Sequence, residues 1–263
     1  MSVFFDRVLL TEDDIQKRNE LKNVLETILK TGSGMDCVLH TYGSTANSLG
    51  FRNSDIDLFI ELKNENNFHN KFGFEKAMSY LKKFRTTLSH NLNIMIAEPV
   101  DSRRCPIIRI DLNYLRNAFS QKAFVYKKVA IVCDLSLTNG LGVINTKLIR
   151  LYSRLESRFH QLAVVLRYWA KINGFIDGLN GLTSYALTQL VVFFCQSISP
   201  PLIPSLDQLK RLSLDTVVID GIECRFCDDL NLIPKSKNKD SIIDLLKKFF
   251  KFYRLSIKIE TIS

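Results

Sequence analysis

The sequence predicts an α+β chain, a mixed sheet with helices followed by a mainly helical half, and three observations carry that prediction. Short β-rich runs alternate with helical spacing through the first half. From Asn145 onward the pattern changes to long helical stripes, Arg158 to Asn173 and Ser184 to Gln196, broken by Pro200, Pro201 and Pro204. The 263 residues, 46% hydrophobic and 24% charged, have the length and composition of a folded chain of two ordinary domains. No run approaches the roughly 18 apolar residues that a membrane helix needs.

Thr11 ahead of Glu12, Asp13 and Asp14 is a helix start, a hydroxyl cap with carboxylates at the positive end of the dipole. Ile15, Leu21, Val24, Leu25, Ile28 and Leu29 share one stripe of that helix, and Gly32 to Gly34 stops it. Strands are predicted over Cys37 to Thr41 and over Ile56 to Leu62. Helical spacing returns from Glu75 to Leu88, and further β-rich runs stand at Leu92 to Ala97, Ile107 to Leu112 and Val129 to Leu135. Asp240 is predicted to cap a last helix whose apolar face is Ile242, Ile243, Leu245, Leu246, Phe249 and Phe250.

A formal charge of +9 suits a polyanionic partner, because Lys and Arg release counterions from phosphates. The six cysteines mostly lie inside apolar runs, which fits a reducing interior better than a secreted disulfide framework. Cys224 and Cys227 form a lone CxxC with no second pair to complete a zinc site, and a buried strand is predicted there instead. Met1 to Arg7 carries neither a signal-peptide core nor a long amphipathic transit segment. An intracellular chain is expected, mitochondrial or cytoplasmic. The lysines of 235–240 read as a solvated loop.

The chemistry concentrates in Tyr42-Gly43-Ser44 and in Asn53-Ser54-Asp55-Ile56-Asp57-Leu58-Phe59. Residues two apart on a strand face the same way, so Asp55 and Asp57 present two carboxylates to one site, where they repel unless cations neutralise them. Mg²⁺ takes oxygen ligands and substrate phosphates, and a pair of such ions activates an attacking hydroxyl and stabilises departing pyrophosphate. Gly43 permits close backbone approach, and Ser44 at a helix start would offer a hydroxyl and free amides to phosphate. A third carboxylate is wanted from a neighbouring strand. Asp111 and Asp134 both qualify, and spacing does not separate them.

These residues resemble the noncanonical poly(A) and poly(U) polymerases, terminal nucleotidyltransferases of the DNA polymerase beta superfamily, through almost the whole chain. The segments Ser199 to Lys210 and Val218 to Cys224 are most similar to the mitochondrial poly(A) polymerases. The resemblance selects Asp134 as the third aspartate, because it precedes a polar segment with Asn139 and then Asn145-Thr146. It implies a nucleotidyltransferase palm over residues 1–140, with the N-terminal helix able to pack on the second domain. A helical central domain would span 141–263, with the nucleotide in the cleft between. It also implies catalytic and metal-binding Asp55, Asp57 and Asp134 with two Mg²⁺ or Mn²⁺ ions, and Gly43 and Ser44 at the phosphates. Asn139, Asn145 and Thr146 would meet the sugar and base, Arg167 and Lys171 the triphosphate, and Ser184 and Tyr185 the phosphate and base.

The implied reaction adds AMP from ATP to an RNA 3′ end, with UTP the second choice of nucleotide and an inactive RNA-binding scaffold the rival of another class. No membrane partner is implied, and a homodimer or a protein partner would supply RNA specificity. Arg167 stands where the family commonly has lysine, and Gly140 where many relatives have a further sugar-supporting residue. The family's base-selecting residues fall near or beyond Ser263. Gly140-x-Gly142 lacks the full dinucleotide-binding pattern and is not expected in a strand-turn-helix setting. Trp169 is expected in the core.

Overall fold

The computed structural model describes residues 2–103, 105–111, 132–176 and 181–259. The chain forms two compact units, Met1–Lys147 with Thr216–Cys224, and Leu148–Asp215 with Arg225–Ser263.

The first unit opens with a short helix that the sequence pattern did not announce, α1 (Ser2–Val8), and then α2 (Glu12–Ser33). Thr11 and Asp14 form a reciprocal capping box: the Thr11 hydroxyl accepts the Asp14 N–H at 3.1 Å, and the Asp14 carboxylate accepts the Thr11 N–H at 2.9 Å. Gly34, at φ 69°, ends the helix in the left-handed region. Leu21, Leu25 and Leu29 are fully buried, each worth about 1.5–3 kcal/mol of burial.

The sheet comprises β1 (Cys37–Tyr42), β2 (Ile56–Leu62), β3 (Ile107–Asp111) and β4 (Val132–Ser136), in the order β1-β2-β4-β3. β2 and β4 are parallel, and the other two pairs are antiparallel. Period-2 alternation sends Leu39, Ile56, Leu58, Ile60, Ile108, Ile110, Cys133 and Leu135 to one face. There they share a core with the α2 leucines and with Ala77, Leu81, Phe84 and Leu88 of α3 (Phe74–Leu92).

The β-rich run Leu92 to Ala97 is not a strand. Leu92 is the last residue of α3, Asn93 closes it at φ 51°, and Ile96 is buried with its carbonyl held by Arg85 Nη1 at 3.0 Å. Its apolar content records burial under a loop. Leu112 and residues 129–131 of the other two predicted strands lie outside the described residues.

α4 (Gly140–Leu155) starts in the first unit and ends in the second, which continues with α5 (Ser157–Ile172), α6 (Ser184–Ser197) and α7 (Leu206–Leu212). A hairpin of β5 (Val218–Ile219) and β6 (Ile222–Glu223) turns on Asp220 at φ 49° and Gly221 at φ 76°, and belongs to the first unit. The Asp220 N–H donates to the His69 carbonyl at 2.8 Å. Cys224 follows that hairpin half-buried and Cys227 is buried outside any strand, so the predicted buried strand is absent; none of the six cysteines is in a disulfide.

In the second unit Phe159, Leu162 and Leu166 of α5, Val191 and Phe194 of α6, and Leu245 and Phe249 of α8 (Ile242–Ile259) are buried. Phe194 meets Phe249 edge-on at 5.5 Å. Ser241, not Asp240, holds the first turn of α8, accepting the Asp244 N–H at 3.2 Å. The Asp240 carboxylate is taken by Lys248 Nζ at 2.6 Å. Ile243 and Phe250 of the predicted apolar face are exposed. Among the described residues no helix is long and apolar enough to cross a membrane.

Candidate active site

The face of the sheet turned away from α2 and α3 carries a row of four polar side chains, one per strand. The register places Tyr42 of β1 opposite Asp57 of β2, Asp57 beside Asp134 of β4, and Asp134 opposite Arg109 of β3. Directly paired residues project to the same side of a sheet, so the alternation that buries Ile56 and Leu58 brings Asp57 and Asp134 together. Asp111 shares that face but sits opposite Val132 on the edge strand, with β4 between it and β2. One step along the row, the same face closes: Phe59 is fully buried against Phe68 at 5.7 Å, and His40 lies 5.4 Å from the Phe68 ring.

Electrostatics at the row is dominated by crowded carboxylates. Withdrawal from water, then the charges of Asp134 and Asp55, push the Asp57 carboxyl up to about 7, while Arg18 and Arg109 pull it part of the way back. Burial, followed by the Asp57 charge, raises the Tyr42 phenol, which hydrogen-bonds the Asn139 side chain. Asp134 accepts both available bonds from Arg109, Nε to Oδ1 at 2.9 Å and Nη2 to Oδ2 at 2.8 Å.

Below the row lies a second arginine. Arg18 of α2 is buried and donates to Thr45 Oγ at 2.6 Å and to the carbonyls of Ser54 at 2.7 Å, Asp55 at 3.3 Å and Arg52 at 3.4 Å. One guanidinium thus fixes both the turn after β1 and the loop that delivers Asp55 to β2. Sequence reasoning passed over it, although its signal was present: Arg18 stands three residues after Ile15 and three before Leu21, a cation on an apolar stripe. Arg109 was missed for another reason, since its importance depends on pairing with a strand more than twenty residues away.

The glycine-serine pair is a single 3-10 turn, Gly43–Thr45, rather than the start of a longer helix. Gly43 has φ 68°, and a β-carbon there would overlap the Asp57 carboxylate, so only glycine fits. Its N–H donates to Thr146 Oγ at 2.8 Å, and the Thr146 hydroxyl donates to the Gly142 carbonyl at 2.7 Å. Thr146 is therefore a buried strut between α4 and the turn. Ser44 is half-buried beside it, and Asn145 is half-buried on α4. Asn139 Oδ1 accepts the Gly142 N–H at 3.2 Å at the start of α4. Gly140 and Gly142 do follow a strand and a short turn, contrary to the sequence expectation. A β-carbon at Gly140 would strike the Phe68 carbonyl.

The remaining predicted residues belong to the second unit. Arg167 of α5 is buried, and burial pulls its guanidinium down to about 10, whereas Lys171 one turn later is exposed. Ser184 is the first residue of α6, after a Thr183 cap that accepts the Ala186 N–H at 3.0 Å, and Tyr185 is exposed beside it. Trp169 is partly exposed and packs against Phe175 and Phe250, both at 5.1 Å.

The donor chemistry of Asp55, Asp57 and Asp134 fits a hard divalent cation, since carboxylate oxygens are its preferred ligands and the Asp134 and Asp55 charges both act on Asp57. As they stand, no three or more His, Cys, Asp and Glu side chains among the described residues are gathered to hold an ion. Asp134 is engaged with Arg109 instead.

Residues 1–154 match the family described as "Poly(A) RNA polymerase, mitochondrial-like, central palm domain". The human protein named "Poly(A) RNA polymerase, mitochondrial" is 29% identical over 265 residues, covering 93% of this chain and 43% of the human one. The crystal structure of mtPAP in complex with ATPgammaS superposes with a TM-score of 0.80 at 25% identity, covering 96% of this chain and 53% of that one. Its complex with UTP gives 0.79, also at 25% identity, over 96% and 54%. The chain thus spans less than half the length of the human relative. A match over more than half of its residues, carrying the aspartates and the glycine turn, places it plainly: the chain belongs to the mitochondrial-like poly(A) RNA polymerase family, through its central palm domain.

Proposed function

We propose that the chain is a template-independent RNA 3′-terminal nucleotidyltransferase that adds AMP from ATP. The observation that carries this reading is the register of Asp57 beside Asp134 on parallel strands, with Asp55 two residues ahead and the Gly43 turn against the Asp57 carboxylate. Polymerases of this family generally use divalent metals. Asp55, Asp57 and Asp134 would hold two Mg²⁺ or Mn²⁺ ions, which when bound favour the alkoxide of the RNA 3′-hydroxyl and neutralise the leaving pyrophosphate.

The rest is the work of the chain's own groups. The 3′-oxygen bonds to the α-phosphorus as the bond to the β-phosphate oxygen breaks, and the hydroxyl proton leaves by way of the Asp134 carboxylate. Ser44 offers its hydroxyl to phosphate, and Thr146 holds the turn in place through the Gly43 N–H. Asn139 and Asn145 face the sugar and base. Arg167, Lys171 and Ser184 bind the triphosphate, and the exposed Tyr185 ring stacks on the base. Residues 1–140 act as the catalytic domain and 141–263 as the helical central domain of a mitochondrial or cytoplasmic enzyme.

UTP is the second reading for the nucleotide, on the resemblance of the chain to poly(U) as well as poly(A) polymerases. Purified protein is incubated with a labelled RNA oligonucleotide, Mg²⁺ or Mn²⁺ and each NTP separately, alongside Asp55→Ala/Asp57→Ala. Extension with ATP that the double variant loses supports the adenylyltransferase, and extension with UTP alone moves the base while keeping the chemistry. RNA binding by folded protein without extension by any NTP would favour a scaffold subunit instead.

A further inference from the structure

Two arginines flank the carboxylate row, and they are held in opposite ways. Arg18 is buried beneath it and bonded to four oxygens of the two loops, so it cannot leave without opening the fold. Arg109 reaches Asp134 from the edge strand β3, with its side chain 53% exposed against 13% for Asp134. Its fork meets both carboxylate oxygens, the strong geometry for an arginine and a carboxylate. An exposed side chain at a sheet edge swings into water at little cost beyond the lost pair. Among the described residues the row thus has one fixed cation and one releasable cation, and the releasable one occupies the carboxylate that stands directly beside Asp57.

We propose that Arg109 is a built-in, displaceable counter-cation: its two-point grip on Asp134 competes with divalent cations for that carboxylate, and cation binding must displace it. The inference rests on the reading of Asp55, Asp57 and Asp134 as metal ligands and adds a residue that sets the divalent concentration at which the site assembles. Arg109 also screens repulsion within the row, since its charge pulls the Asp57 carboxyl down. A lysine at 109 would keep the charge but lose the two-point grip, so it would compete less well.

The test is Mn²⁺ binding to the full chain, read from the electron paramagnetic resonance signal of free Mn²⁺ at fixed pH and ionic strength, without nucleotide or RNA. Wild type is compared with Arg109→Gln, Arg109→Lys, Asp134→Asn and the Arg109→Gln/Asp134→Asn double variant. Thermal unfolding in EDTA checks that each is folded. Arg109→Gln is expected to bind Mn²⁺ about 3- to 10-fold more tightly, the scale of a partly exposed ion pair released from competition, with Arg109→Lys between it and wild type. In the Asp134→Asn background the Arg109→Gln gain should shrink to less than about 2-fold, because the pair is already broken. Unchanged or weaker Mn²⁺ binding by Arg109→Gln overturns the proposal, as does an equal gain with and without Asp134. If wild type itself binds no Mn²⁺, or binds it as well as Asp55→Ala/Asp57→Ala, the metal-ligand reading fails and this inference with it. Wild-type binding that depends on Asp55 and Asp57 but ignores Arg109 refutes the inference alone.

Discussion

The two faces of one four-stranded sheet show how differently neighbouring residues can be used. Ile56, Leu58, Ile60 and Leu62 point to α2 and α3 and are buried among leucines and Phe84. Asp57 lies between Ile56 and Leu58, yet it points to the other face, beside Asp134 and Asp55, with its carboxyl pushed up to about 7. The apolar face supplies stability, and the acidic row draws on it. Crowding like charges costs free energy that the fold recovers only in part, through Arg18 below and Arg109 at the edge.

Truncating the apolar face should have the largest effect on folding. Leu58→Ala leaves a cavity behind the site and is expected to cost about 2–5 kcal/mol in urea unfolding, with no specific effect on Mn²⁺ affinity while folded. Arg18→Met strips the donor from Thr45 and from the loop carbonyls, and about 2–4 kcal/mol should be lost. Unlike Leu58→Ala, it should also weaken Mn²⁺ binding, because the loop carrying Asp55 loses its anchor. Equal Mn²⁺ affinity in Arg18→Met and wild type would break the claim that this arginine serves the charged face. Thr146→Val removes the acceptor for the Gly43 N–H and should cost only about 1 kcal/mol. Its signature is a raised KM for the nucleotide with kcat little changed; a fall in kcat alone would show that the strut does something else.

Much of the apolar face was legible in the sequence, because alternation and helical stripes report burial directly. Ile56 to Leu62 is a strand with the predicted bounds, and Thr11 and Gly34 bracket α2 as the cap signals require. The charged face was legible only in part. Asp55 and Asp57 declare themselves by spacing, but the choice between Asp111 and Asp134 depends on strand order, which spacing does not encode. Arg109 and the β5–β6 hairpin escaped for the same reason, since their partners are distant in sequence: Arg109 meets Asp134, and Asp220 meets His69. Leu92 to Ala97 misled because an apolar loop over a core resembles a strand in composition alone.

The most direct test of this division is the pH dependence of unfolding for wild type and Asp57→Asn, in EDTA and in Mn²⁺. Asp57 holds its proton to about 7 in the folded chain, against 3.8 ordinarily. Between those values the folded state binds a proton that the unfolded state does not, so the Asp57 contribution falls as pH rises through that window and is flat above it. Asp57→Asn should therefore gain on wild type from pH 5 to pH 8 in EDTA, reaching about 1–3 kcal/mol. Mn²⁺ should stabilise wild type increasingly above pH 7 and leave the variant unmoved. A variant no more stable than wild type at pH 8, or stabilised equally by Mn²⁺, would contradict the account of the acidic row as a strained cation site.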